Sequence, residues 1–212
     1  MIRVLIADDH PIVRRGLIQI VASQPDLQVT AECGDGNEAL RLVETRSLDV
    51  AVLDIGMPGI SGLELLSRLR SQHPRLPVLI LSAYPESELA VRVLKAGAAG
   101  YLNKEMAPEE LVAAIRRVAA GRRYVSPETA EMLADSVAGG DEQPHAALSD
   151  REYQVLLEIA SGRTVGEIAA DMNLSVKTVS TYRTRVLEKM NMRNNAELMH
   201  YVIQKGLTGK WM

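Results

Sequence analysis

The sequence predicts an α/β fold, a five-stranded doubly wound parallel sheet, followed by a small all-α domain of four helices. Three observations carry that reading. Five short apolar runs alternate with amphipathic helical stretches over the first 120 residues. Runs such as VLIA and VLIL are apolar at every position, as strands covered on both faces must be. Beyond residue 148 the strand pattern stops and only helical periodicity remains.

The strands are expected at RVLIA (3–7), QVTAE (28–32), DVAVL (49–53), PVLILS (77–82) and GYL (100–102). Between and after them, helical patterns fall at about 11–23, 37–46, 62–72, 86–96 and 108–120. Strands alternating with helices imply parallel pairing with helices on both faces. Right-handed crossovers leave few topologies, of which the doubly wound sheet is the natural one. Residues 121–147 break the rhythm. Their middle has room for a short helix with Pro127 in its first turn, and AGGDEQPHAA has the Gly, Pro and polar content of a linker. The final stretch, 148–212, reads as SDREYQVLLEIASG, TVGEIAADMN, SVKTVSTYRTRVLEKM and NAELMHYVIQKG. Ser149 and Glu152 form a capping box, and Gly162 suits a helix C-terminus. Gly166 in the next first turn is expected to fray it slightly. Three parts result: 1–120, a linker 121–147, and 148–212.

Composition narrows the function classes. Apolar residues make up 47% and aromatics 3%, with no Phe, so the core must be aliphatic. The single cysteine, Cys33, excludes an internal disulfide and a Cys-based zinc site. It reads as a small buried residue at a strand end. The opening MIRVLIADDH lacks a signal peptide's apolar core, and no apolar run reaches about 18 residues. The expectation is a soluble cytoplasmic protein with no membrane partner. Net charge is −3, too acidic for a protein that coats nucleic acid throughout. The charge is uneven, however: residues 1–147 hold 15 Lys/Arg against 20 Asp/Glu, and residues 148–212 hold 9 against 7. Two modules with different partners are implied.

In an open parallel sheet, sites form beyond the carboxyl ends of the strands. The first strand leads into Asp8 and Asp9, the third into Asp54, and the fourth into Ser82. The fifth passes through Tyr101 to Lys104. A lone Asp54 before Gly and Pro would read as a turn former. Three carboxylates at neighbouring strand ends repel one another unless a cation neutralises them. An all-oxygen set suits Mg²⁺, which keeps waters free for a phosphoryl group. Lys104 supplies a mobile positive charge for another phosphoryl oxygen. Asp54 then becomes a carboxylate nucleophile of the aspartyl-phosphate kind.

Residues 1–120 resemble the receiver domain of bacterial two-component response regulators, a flavodoxin-like fold. The resemblance rests on ADDH around Asp8 and Asp9, LDIGMPGISG around Asp54, LSA around Ser82, and GYLNK ending in Lys104. It implies that Asp54 takes phosphate from a phosphohistidine on a sensor histidine kinase. It also implies Mg²⁺ ligation by Asp9, Asp54 and the Gly56 carbonyl, with Asp8 holding a metal water. Ser82 and Tyr101 resemble the family's switch pair, the hydroxyl turning to the phosphoryl group and the ring following. One departure is Glu105 after Lys104, where many receivers carry Pro.

EIAADMNLSVKTVSTYRTRVLEKM reads as helix, tight turn, helix. Ile168, Ala169 and Met172 face inward on the first, Ser175 caps the second, and Val179, Val186 and Leu187 anchor it. Its other face carries Lys177, Thr178, Ser180, Thr181, Arg183, Thr184 and Arg185. Hydroxyls among long cations suit a helix lying in a major groove. Residues 148–207 resemble the LuxR-type helix-turn-helix, and receiver plus this module resembles the nitrate-regulator class of response regulators. By that resemblance Lys177, Ser180, Thr181 and Thr184 lie nearest the bases, and Arg183, Arg185 and Lys189 nearest phosphates. Relatives often carry Lys where Ser180 and Thr184 stand.

The reading is a non-enzymatic transcription factor acting on double-stranded DNA, controlled by phosphorylation of Asp54 and pairing as a homodimer when phosphorylated. The sequence leaves two rivals: a phosphotransfer enzyme that turns over through Asp54, and a DNA-binding regulator whose receiver is never phosphorylated. The first lacks a second acid–base residue and leaves the basic module unexplained.

Overall fold

The computed structural model describes residues 1–57, 60–83, 86–138, 144–172 and 174–207. Pro58 and Gly59 of the LDIGMPGISG motif, linker residues 139–143, and Asn173 lie outside them. Two compact units divide at Ala134/Asp135.

In the first unit, β1 (Ile2–Ala7), β2 (Leu27–Cys33), β3 (Val50–Asp54), β4 (Val78–Ser82) and β5 (Gly100–Asn103) form one parallel sheet in the order β2-β1-β3-β4-β5. Helices α1 (Pro11–Ala22), α2 (Gly36–Thr45), α3 (Gly62–Gln72), α4 (Glu86–Lys95) and α5 (Pro108–Ala119) connect and follow the strands. Side chains alternate across the sheet. Val4, Ile6, Val52, Leu79 and Leu81 therefore pack with Leu17 and Val21 of α1 and Leu111, Ile115 and Val118 of α5. Leu5, Leu53 and Ile80 are buried on the other face. The core is aliphatic, as the composition requires.

Two interactions pin the sheet at its start and edge. Arg3 donates to both carboxylate oxygens of Asp49, and their backbones pair as well, joining the openings of β1 and β3. The Arg3 guanidinium holds the Asp49 carboxyl down at about 2. At the β5 edge, Tyr124 forms a parallel bridge with Gly100, donating its amide to the Ala99 carbonyl at 2.8 Å. The chain then enters α6 (Pro127–Ala138). Cys33 is buried at the end of β2, and burial pushes its thiol up to about 11.

The second unit holds a 3-10 turn (Pro144–Ala147), then α7 (Asp150–Ala160), α8 (Val165–Asp171), α9 (Val176–Lys189) and α10 (Asn195–Gln204). All four helices open on a side-chain cap, from Ser149, Thr164, Ser175 and Asn194. Such caps satisfy amides that the helix itself leaves unpaired. Thr164 forms a full capping box with Glu167, so α8 starts firmly despite Gly166. Gly162 and Asn191 take positive φ just past α7 and α9, where a left-handed residue ends a helix. Tyr153, Leu156, Ile168, Val179, Val186, Leu198 and Val202 fill the core. Among the described residues, no helix is long and apolar enough to cross a membrane.

Candidate functional site

The switch in strand order falls between β1 and β3, and the acidic residues gather at that point. Asp8 follows β1 directly, and Asp54 is the last residue of β3. Both are buried, at 0% and 4% exposure. Close packing surrounds the start of α3. A Cβ on Gly62, the first residue of α3, would stand 2.2 Å from the Asp54 carbonyl oxygen, so only glycine lets α3 start there. A Cβ on Gly36 would meet the Ile60 carbonyl oxygen at 2.0 Å. Gly62 also donates its amide to the Ile55 carbonyl, and Ser61 caps α3.

Lys104 closes the site from β5. Its Nζ lies 2.9 Å from Asp8 Oδ2 and 3.0 Å from Asp54 Oδ2. Its amide donates to the Ser82 carbonyl at 2.8 Å, which ties the ends of β4 and β5 together. Burial pushes the Asp54 carboxyl up, and Lys104 and the Gly56 amide pull part of that back. Burial works against the Lys104 ammonium, but Asp54 and Asp8 outweigh it and raise its pKa. Both groups thus hold each other's charge. Ser82 ends β4 and Tyr101 lies within β5, and both are buried, so the tyrosine ring already lies inside.

One residue of the site went unremarked in the sequence. His10 is the N-cap residue of α1, yet its side chain makes no capping bond. Its Nδ1 lies 2.7 Å from Asp9 Oδ1, 3.5 Å from Asp8 Oδ1 and 4.0 Å from Asp54 Oδ2. Ligand atoms of Asp8, Asp9, His10 and Asp54 all fall within 4.8 Å of one another. The signal was adjacency: a histidine directly after paired aspartates. With three carboxylates and one lysine, the cluster keeps an excess of two negative charges when His10 is neutral. A divalent cation balances that excess and fits the oxygen-rich donor set.

In the second unit, α9 exposes Lys177, Ser180, Thr181, Thr184 and Arg185, and buries Val179 and Val186. The Thr181 and Thr184 hydroxyls donate to the carbonyls of Lys177 and Ser180, which spends each hydroxyl proton within the helix and leaves the oxygen able to accept. Two of the three cations assigned to phosphates are otherwise engaged. Arg183 is half-buried and donates from Nε to Asn195 Oδ1 at 2.6 Å. Lys189 Nζ contacts Glu152 Oε2 at 2.6 Å, and Glu152 is the buried partner in the Ser149 capping box. Arg185 makes no ion pair among the described residues.

Comparison with known proteins agrees with both halves. Residues 4–116 match the response regulator receiver domain, and residues 146–202 match the bacterial regulatory proteins of the luxR family. The response regulator UvrY of Escherichia coli K12 is 40% identical over 209 residues, covering 98% of this chain and 96% of that protein. The transcriptional regulatory protein UhpA of Salmonella typhimurium LT2 is 44% identical over 200 residues, 94% of this chain and 97% of that one. A solved structure of two RcsB dimers bound to two parallel DNAs has a TM-score of 0.60 at 26% identity, covering 95% of this chain and 98% of that one. With a receiver fold, a LuxR-type helical unit and full-length relatives of this kind, the chain belongs to the two-component response regulators that join a receiver to a LuxR-type DNA-binding domain.

Proposed function

We propose that Asp54 is the phosphoacceptor and that its phosphorylation by a sensor histidine kinase controls binding of the C-terminal unit to double-stranded DNA. The observation that carries this reading is Lys104 bridging Asp54 and Asp8 at the carboxyl ends of three strands. An Asp54 carboxylate oxygen attacks the phosphorus of a phosphohistidine. The P–N bond breaks, the imidazole leaves, and an acyl phosphate remains on Asp54. Lys104 is placed to hold a phosphoryl oxygen, exchanging one carboxylate partner for it. Asp9, Asp54 and the Gly56 carbonyl would hold Mg²⁺, with Asp8 on a metal water. The ion supplies charge neutralisation for the transferring oxygens. Ser82 and Tyr101 are the proposed relay, the serine hydroxyl turning to the phosphoryl group.

Domain limits of 1–120 and 148–212, with 121–147 as linker, go with this reading. On α9, Lys177, Ser180, Thr181 and Thr184 are proposed to face bases, and Arg185 to face phosphate. Arg183 and Lys189 contribute by holding α9 to α10 and α7. Half-sites about one DNA turn apart favour a two-fold pair of such modules, so the phosphorylated chain is proposed to act as a homodimer in the bacterial cytoplasm. DNA binding measured with and without acetyl phosphate, in wild type and Asp54→Asn, tests the reading. Phosphate-dependent tightening in the wild type alone is expected. Equal tightening in both, or none in either, would overturn it.

A further inference from the structure

We propose that His10 is a nitrogen ligand to the divalent ion, making the receiver site selective for first-row transition ions over what oxygens alone would give. The inference rests on reading Asp8, Asp9 and Asp54 as an ion site and adds a residue and a preference to it. Pro11 follows His10 and restricts it to extended backbone, where it sits at φ −87° and ψ 107°. Its amide is held by Asp8 Oδ1 at 2.8 Å. The residue is thereby fixed at the mouth of the site. Its ring is 65% exposed and open to exchange with water, yet it turns to the carboxylates and leaves the α1 amides uncapped.

The spacing suits shared coordination. Donors about 2.1 Å from an octahedral ion lie about 3 Å apart when adjacent and about 4.2 Å apart when opposite. His10 Nδ1 is 2.7 Å and 3.5 Å from oxygens of Asp9 and Asp8, and 4.0 Å from Asp54 Oδ2. The Asp9 spacing fits neighbours on one ion and the Asp54 spacing fits the far side, while Asp8 keeps its place on a metal water. An imidazole nitrogen adds little for Mg²⁺ but favours Mn²⁺, Co²⁺ and Ni²⁺, in rising order. The alternative is a plain hydrogen bond from Nδ1 to Asp9, which would orient that carboxylate equally for every metal.

The test uses the full chain loaded with Mn²⁺ and pulsed electron paramagnetic resonance. A ¹⁴N coupling to Mn²⁺ is expected, changing to ¹⁵N when the protein's histidines carry that isotope, and vanishing in His10→Ala. His10→Gln keeps a donor for Asp9 but has no ring nitrogen. It should weaken Co²⁺ binding by about tenfold, with Mg²⁺ binding nearly unchanged. Bound Mn²⁺ without histidine coupling, or equal losses for Co²⁺ and Mg²⁺ in His10→Gln, would overturn the role of His10 and leave the ion site standing. Failure to bind Mn²⁺ at all would overturn both.

Discussion

Lys189, the last residue of α9, reaches Glu152 in the first turn of α7 at 2.6 Å, and so clamps α9 to α7. Glu152 is 3% exposed and Lys189 40%, so the carboxylate has far more to lose from a broken pair. Removing one partner of a buried pair costs more than the pair contributes.

Lys189→Met is therefore expected to lower the stability of the C-terminal unit by about 2 kcal/mol, while leaving the salt dependence of DNA binding nearly unchanged. Burial raises the Glu152 carboxyl, but Lys189 and Ser149 together hold it below the ordinary 4.5. A depressed carboxyl stabilises the fold above its unfolded pKa and loses that contribution as pH falls through the native one. Wild type should thus lose this increment on acidification below about 4.5, and Glu152→Gln should not. Chemical denaturation across that range checks it. A fall in salt slope with unchanged stability in Lys189→Met would instead make Lys189 a phosphate contact.

Arg185 and Arg183 should behave differently although they are two residues apart. Arg185→Ala is expected to reduce the slope of log affinity against log salt by about one unit on any sequence. Arg183→Ala removes the bond to Asn195 at the start of α10 and should act mainly on stability. Titrations at several salt concentrations separate them, and equal slope changes would contradict the distinction.

Lys104 is the positive charge that Asp8 and Asp54 share. Lys104→Ala should raise the affinity for Mg²⁺ several-fold, because the cluster gains one uncompensated negative charge. Phosphoryl uptake should slow in the same variant. Calorimetric Mg²⁺ titration beside a phosphorylation time course checks both, and weaker Mg²⁺ binding would show that Lys104 supports the ion site instead of competing with it.

The linker bears on control. Helix α6 fills Pro127–Ala138, where the sequence has room for a short helix with Pro127 in its first turn. Phosphorylation is expected to act by releasing the C-terminal unit to pair, a shift requiring only a few kcal/mol of differential stability. A fragment lacking residues 1–140 should then bind DNA at least as well as the unphosphorylated full chain. Weaker binding by the fragment would make the receiver a required dimeriser.

The central strands are legible because strands buried on both faces must be apolar throughout. The edge strand β2 is legible only by its place in the strand–helix alternation, and all five runs form strands within a residue or so at each end. Asp54, Asp8 and Lys104 were legible because strand ends fix where side chains converge. The Ser149 cap and the Gly162 stop were read from local spacing, and both formed. The Thr164–Glu167 box outweighs Gly166 at the start of α8, because its reciprocal side-chain bonds satisfy amides that one glycine's freedom leaves available. Long-range partners left no local trace. Lys189 looked like a free cation because Glu152 is 37 positions away. Arg183 meets Asn195 only once α10 has folded back, and Tyr124 finds Gly100 only across the sheet edge.

Intact-mass measurement after incubation with acetyl phosphate and Mg²⁺ tests the phosphoacceptor most directly. Wild type should gain one phosphoryl group, lose the gain in excess EDTA, and recover it when Mg²⁺ is restored. Asp54→Asn should gain none under the same conditions. A variant modified to the wild-type extent would show that another residue takes the phosphoryl group, and the proposed roles of Lys104, Ser82 and Tyr101 would fall with Asp54.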